Sequence, residues 1–127
     1  MSNPEIAAQV IPYVAEATGF ESHEIRLDQT FFGDLGGESL DYNDLSFRLE
    51  KHFGTRIPVE QLESMSDIAV RAGRVTPEGL ETMRQKYPFL DVASFERDPR
   101  ARWLSNLVTV EAIVRMVEYY LAKQQAE

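Results

Sequence analysis

The 127-residue sequence contains no cysteine and only two histidines, and its basic side chains are outnumbered by acidic ones, 13 against 21. Without cysteine the chain has no disulfides and no thiolate metal ligands, and this composition suits a reducing compartment. It also has no continuous apolar run of the length of a membrane span or a signal peptide. The length suits one domain. We therefore expect a single cytoplasmic domain covering residues 1–127 that is not embedded in a membrane.

The formal net charge is −8, and all of the excess lies in the first 50 residues. Residues 1–50 hold ten acidic and two basic side chains, whereas residues 51–127 hold eleven of each. Such a field repels nucleic acid and anionic membrane surfaces, and it attracts proteins that present basic patches. The charge distribution therefore predicts protein partners with basic surfaces and no binding of nucleic acid.

Apolar residues recur at helical spacing along most of the chain, which predicts an all-α fold. Pro4 suits a first helical position, Gly19 and Gly54 are placed to end helices, and Pro12 is expected to kink or break the first helix. Between the first two helices, isolated apolar residues predict a long loop that is pinned onto the core. The predicted helices cover about 4–18, 39–53, 60–72, 77–87 and 109–124.

The segment DLGGESLD, residues 34–41, places a serine where the second helix is predicted to begin. This position makes Ser39 a candidate N-cap, and Asp41 and Asp44 in the first turns would favourably meet the helix dipole. A nucleophile elbow requires Gly-x-Ser-x-Gly, and the second glycine is missing. His23 and His52 are expected at the surface, so a catalytic triad is not favoured. The segment also fails the ligand spacing of a calcium loop.

Residues 34–41 resemble the attachment motif of acyl carrier proteins, in which an Asp-Ser-Leu core follows a glycine-containing turn. Glu38 stands in the place of the usual aspartate. The similarity extends in order from Phe31 to Pro58, and it covers about residues 4–60 and 108–123. The resemblance implies an acyl-carrier-like four-helix bundle, enlarged here by an extra helical insert at about 61–107.

The resemblance also implies a function. A phosphopantetheinyl transferase would attach 4′-phosphopantetheine from coenzyme A to the hydroxyl of Ser39, and the thiol of that arm would hold acyl groups as thioesters. The protein itself would be no enzyme, because the transferase would provide the metal ion and any base. Further partners would be acyl-loading, synthase or acyltransferase enzymes with basic patches, bound by a monomeric carrier. Their predicted contacts are Glu38, Leu40, Asp41, Asp44 and Phe47.

Several functions remain open at this point. The first is fatty acid or specialised lipid biosynthesis, including very long or hydroxylated chains for outer-membrane lipid. A free-standing carrier of polyketide or aminoacyl and peptidyl intermediates uses the same chemistry. A helical protein-interaction module that is never modified belongs to another class.

The insert is too apolar for a linker, since it contains Phe89, Phe95 and Trp103 among other large side chains. We expect these three residues to join the core, so that Trp103→Ala lowers stability by roughly 3–5 kcal/mol. Two other interpretations are a cavity for a long acyl chain and a docking surface for a dedicated partner, formed by the arginines at positions 97, 100 and 102.

Overall fold

The computed structural model describes residues 2–126, so that Met1 and Glu127, the two ends of the predicted domain, lie outside the described residues. The structure is mainly helical, which confirms the predicted fold class of a helical bundle with extra helices. Its α-helices are α1 (Pro4–Thr18), α2 (Ser39–Phe53), α3 (Pro77–Lys86), α4 (Val92–Phe95) and α5 (Val110–Ala126). Its 3₁₀-helices are η1 (Ser22–Glu24), η2 (Val59–Leu62) and η3 (Ala101–Leu107), and its strands are β1 (Val70–Arg71) and β2 (Arg74–Val75).

Helix α1 continues through Pro12, so the predicted early break is wrong. Asn3 caps the helix by accepting the amide of Glu5 at 2.8 Å, and Gly19 ends it in the left-handed conformation. Val10 and Val14 lie on either side of Pro12 and are completely buried. Pro12 itself is exposed. The packing of the apolar face therefore holds the helix together although one backbone hydrogen bond is lost.

The helix predicted at about 60–72 does not form, and this prediction is wrong. Helix η2 ends at Leu62, and an antiparallel hairpin follows in which Val70 pairs with Val75. Ala72 and Gly73 form its two-residue turn with φ angles of 54° and 77°. Positive φ at both positions gives the twist that short hairpins prefer, and it is incompatible with a helix. The other predicted helices agree with the structure within two residues.

The described part of the insert shares one hydrophobic core with α1, α2 and α5. Phe89 and Phe95 are 3% and 7% exposed, which confirms the prediction that they join the core. Trp103 is 43% exposed, and the guanidinium of Arg102 stacks 4.8 Å from the centre of its ring. The expected burial of Trp103 is therefore wrong. The reason is local: none of the residues of η3 is fully buried, and this helix turns Leu104 and Leu107 towards the core instead.

The loop before α2 is held against the start of α5, as predicted for a pinned loop. The amide of Phe31 donates to the carbonyl of Val108 at 2.8 Å, and the amide of Val110 donates to Gln29 at 2.9 Å. Phe31 is completely buried. These contacts fix the position from which the chain enters α2. No helix in residues 2–126 combines the length and the apolar character needed to cross a bilayer.

Candidate functional site

Ser39 is the first residue of α2, and its side chain is exposed. The N-cap is Glu38, so the prediction that Ser39 caps the helix is wrong. Glu38 and Asp41 form a capping box, in which each carboxylate accepts the backbone amide of the other residue. Since these two side chains cap the helix, the hydroxyl of Ser39 points elsewhere and donates to Oε1 of Glu63 at 2.7 Å.

A tight turn of residues 30–37 presents Ser39 to the surface. The carboxylate of Asp34 accepts the amide of Thr30 at 2.8 Å, and the amide of Gly37 donates to the carbonyl of Phe31 at 2.8 Å. A Cβ atom at Gly37 would overlap the ring of Phe31. It would also lie only 2.9 Å from the carbonyl oxygen of Phe31. Glycine is therefore required here for the close approach of two backbone segments.

A surface groove with a volume of about 430 Å³ lies directly beside Ser39. Both polar and apolar residues line it, and one of them, Ser105, belongs to η3 and therefore to the insert. An exposed serine at the start of a helix, next to a groove of mixed polarity, fits a phosphodiester-linked arm that carries amides and methyl groups. The groove is lined by Phe32, Gly37, Glu38, Ser39, Tyr42, Glu63 and Ser105.

Tyr42 forms the buried wall of this groove. Its ring packs edge-on against Phe31, with the ring centres 4.7 Å apart. Burial, and secondly the negative charge of Glu63, raises the pKa of Tyr42 to about 12. The phenol therefore remains neutral at physiological pH. The acidic side chains that line the groove beside it are Glu38 and Glu63.

The structure places the predicted partner contacts at the start of α2 and along its exposed side. They differ in whether other groups of the protein already engage their side chains. Leu40 and Phe47 are 79% and 66% exposed. The carboxylates of Glu38 and Asp41 are engaged in the capping box, and Asp44 pairs with Arg48 at 2.8 Å. The apolar contacts are thus the freest of the predicted set, while the acidic ones also stabilise the helix.

The two histidines do not line the groove beside Ser39. His52 contacts Tyr13 and Gln9, at 2.9 Å each, near the other end of α2, and His23 lies in η1. Within residues 2–126 no group of three or more acidic, histidine or cysteine side chains is arranged to hold a metal ion. The groove thus brings the hydroxyl of Ser39 next to the carboxylate of Glu63. It has no histidine among its lining residues to complete a catalytic triad.

Glu63, Tyr42 and Ser105 belong to the site but were not predicted from the sequence. Tyr42 lies one helical turn from Ser39, and its proximity follows from the helix alone. Glu63 reaches Ser39 across a separation of 24 residues, and Ser105 comes from the insert. No pattern in the sequence indicates these two contacts, because both depend on the packing of distant segments.

Comparisons with known proteins agree with this geometry. A family model described as "Phosphopantetheine attachment site" matches residues 8–70, which include Ser39. An acyl carrier protein of Prochlorococcus marinus (strain MIT 9515) is 38% identical over 68 residues, which are 54% of this chain and 85% of the relative. The chain belongs to the acyl carrier protein family. Acyl carrier proteins are carriers rather than catalysts, and their prosthetic group is 4′-phosphopantetheine. Most of the insert lies beyond the family match.

Proposed function

We propose that this acyl carrier protein holds acyl groups as thioesters on a 4′-phosphopantetheine arm attached to Ser39. The observation that carries the proposal is the position of Ser39, exposed at the start of α2 beside a groove and inside the family match. Since the sequence has no cysteine, the arm supplies the thiol.

Carriers of this kind interact with synthase and transferase enzymes. In our proposal, the phosphopantetheinyl transferase and the acyl-loading, synthase or acyltransferase enzymes meet α2 through basic patches. The exposed side chains of Leu40 and Phe47 supply apolar contacts, and the carboxylates supply charge complementarity. The proposed contact residues are Glu38, Leu40, Asp41, Asp44 and Phe47.

The proposed setting is fatty acid or specialised lipid biosynthesis in the cytoplasm, with the chain acting as one monomeric carrier domain of residues 1–127. Two observations support a role for the insert at 61–107 within that domain. Its buried side chains join the common core, and Ser105 lines the groove at the attachment site. In our proposal, the cargo can include very long or hydroxylated acyl chains for outer-membrane lipid.

Attachment is tested by incubating the full apo chain with coenzyme A, magnesium and a broad-specificity phosphopantetheinyl transferase. Intact mass should show the addition of one arm. Ser39→Ala should abolish the addition, whereas Ser105→Ala, which removes the other serine of the same groove, should not.

Two results would contradict attachment at Ser39. A wild-type chain that remains unmodified with transferases from several sources would favour the unmodified interaction module. A Ser39→Ala variant that still gains an arm would move the attachment to another residue. The intact mass of protein purified from its native host would then identify the cargo and separate lipid intermediates from polyketide or aminoacyl ones.

A further inference from the structure

Three exposed arginines stand side by side across the hairpin of the insert. Arg71 pairs directly with Arg74 in the two antiparallel strands, and Arg74 forms a further antiparallel bridge with Arg100. Residues that are directly opposite in antiparallel strands project from the same face. Arg71, Arg74 and Arg100, which we call the arginine row, therefore share one exposed face.

The backbone beneath the arginine row is held in place by hydrogen bonds. The amide of Val75 donates to the carbonyl of Pro99 at 2.7 Å, and the amide of Ala101 donates to the carbonyl of Gly73 at 2.9 Å. Val75 is itself buried in the core. These contacts keep Arg100 beside the hairpin, although α3 and α4 lie between the two segments in sequence.

The positive charge of the arginine row is only partly balanced. The carboxylate of Asp98 pairs with Arg74 at 3.3 Å and with Arg100 at 3.1 Å. In the described part of the chain, Arg71 has no carboxylate at ion-pair distance. Like charges directly opposite each other destabilise a pair of strands. An acidic group from outside would relieve this repulsion, and guanidinium groups bind carboxylates in a well-defined geometry.

Exposed apolar side chains lie next to the arginine row in sequence. Val70 precedes Arg71, and Trp103, whose ring is covered on one side by Arg102, follows in η3. Tryptophan and arginine are the residue types that most often dominate the energy of protein interfaces. A 3₁₀-helix rises about 2 Å per residue, so Arg100 lies roughly 10 Å along the chain from Ser105 in the groove beside Ser39. This surface therefore adjoins the attachment site.

We propose that the arginine row, together with Val70 and Trp103, is a second docking surface, and that it binds an acidic segment of a partner protein. The inference goes beyond the proposed function, because the three arginines lie outside residues 8–70, which the family model matches. A partner with a basic patch for α2 and an acidic segment for the arginine row would distinguish this carrier from carriers without the insert.

The charge distribution favours a protein over a lipid surface as the partner. The excess negative charge lies in the first 50 residues, which include the start of α2 beside the groove. An anionic membrane is negative everywhere and would repel that segment, whereas a protein can present each sign of charge locally. Since the Debye length at physiological ionic strength is about 8 Å, charges of opposite sign roughly 10 Å apart are recognised separately.

The test uses the full apo chain and a synthetic peptide of glutamates and leucines without aromatic residues. Calorimetric titration at low ionic strength measures the affinity. Trp103 is the only tryptophan of the chain, so its fluorescence reports whether the peptide occupies the proposed surface. We expect saturable binding with a change in this fluorescence. A peptide of the same length with glutamine in place of glutamate should bind at least tenfold more weakly.

Two triple variants separate the arginine row from net charge. Neutralising the row should weaken binding of the acidic peptide about tenfold, because each exposed ion pair contributes only modestly. The matched control removes the same number of charges from arginines elsewhere on the surface, and it should bind like the wild type. The row variant is Arg71→Gln, Arg74→Gln, Arg100→Gln, and the control is Arg26→Gln, Arg56→Gln, Arg84→Gln.

Two single variants keep the test independent of folding and of the arm. Arg71→Gln breaks no ion pair of the described residues, so it should leave the melting temperature unchanged or higher while it weakens peptide binding about threefold. Ser39→Ala should bind the peptide like the wild type, because the surface needs no arm. Peptide binding by a chain that no transferase loads would therefore contradict the proposed function and leave this inference standing.

Several results would overturn the proposal. Equal weakening by the two triple variants would assign binding to net charge, and an affinity that Arg71→Gln and the row variant leave unchanged would place the peptide elsewhere. An acidic peptide that binds no better than its glutamine counterpart would exclude recognition of carboxylates. Vesicles of phosphatidylglycerol that shift the fluorescence of Trp103, where the peptide does not, would show that the surface binds lipid instead.

Discussion

At the scale of single residues, neighbouring side chains at the start of α2 have different roles in the site. Glu38 and Asp41 cap the helix, which allows the hydroxyl of Ser39 to face the groove. A serine at the N-cap would instead satisfy a helix amide with its own oxygen, which would then be less available for attack. The substitution of glutamate for the family's usual aspartate at position 38 is thus compatible with a capped helix and an available hydroxyl.

Gly37→Ala is expected to damage the fold and the site together. The new methyl group would overlap the ring of Phe31, which is completely buried. Such overpacking costs roughly 1–3 kcal/mol, to be measured by chemical denaturation. Loading of the apo chain by the transferase should slow as well, because the turn that presents Ser39 must shift. Gly33→Ala is the milder comparison in the same turn, since its methyl group would lie 3.0 Å from the side-chain hydroxyl of Thr30 and would need a smaller shift. Equal stability of Gly37→Ala and wild type would contradict the packing described for this turn.

At the scale of elements, the insert is divided between core and surface. Helix α3 buries Met83, and the segment that follows it buries Phe89 and Phe95, whereas η3 leaves Trp103 at the surface. The hairpin of β1 and β2, which precedes α3, is joined to the start of η3, since the amide of Ala101 donates to the carbonyl of Gly73 at 2.9 Å. The insert is therefore an integral layer of the bundle, and its last helix reaches the groove beside Ser39 through Ser105.

Two aromatic truncations in the insert should differ in cost. Phe89→Ala removes a ring that packs against Tyr87 and Tyr119, and it should lower the free energy of unfolding by about 3–5 kcal/mol. Trp103→Ala should cost roughly 1–2 kcal/mol, because nearly half of that side chain is already exposed. Urea denaturation of both variants measures the difference. A Trp103 variant as unstable as the Phe89 variant would mean that the indole is buried in solution.

At the scale of the whole molecule, the excess of negative charge is confined to the first 50 residues. In the insert, opposite charges pair locally, as Arg74 does with Asp98 and Arg84 does with Glu81. The first 50 residues have only two basic side chains, and one of them, Arg48, already pairs with Glu16 and Asp44. The excess negative charge therefore lies in the segment that holds Ser39, where we expect it to steer basic partners.

The double variant Asp41→Asn, Asp44→Asn should slow association with the transferase about tenfold at low ionic strength, since steering by charge acts on the rate of encounter. Asparagine keeps an oxygen for the capping contact of residue 41, so the helix should persist. The matched control is Glu78→Gln, Glu81→Gln, which removes the same two charges from α3. The loading rate as a function of salt measures the effect, which should vanish near 1 M where screening is complete over about 3 Å. Equal slowing by the control would assign the effect to net charge alone.

The sequence by itself determined the helical class, the bounds of α2 and the attachment motif. These features are local: helical periodicity, proline and glycine at helix ends, and an ordered motif from Phe31 to Pro58 are all readable within a few turns of chain. The pinned loop was also predictable, because its isolated apolar residues had to be buried somewhere. Membership of the acyl carrier protein family then follows from residues that lie close together in sequence.

Only the tertiary structure decided the remaining features. The helix predicted at 60–72 gave way to η2 and a hairpin, because packing and two positive φ angles at Ala72 and Gly73 outweighed local helical preference. Trp103 has the composition of a core residue, yet the orientation of η3 leaves it exposed. The contact of Glu63 with Ser39 spans 24 residues and depends on how η2 packs against α2. Contacts between distant segments are fixed by the shared core, and the pattern of one segment carries no information about its neighbours in space.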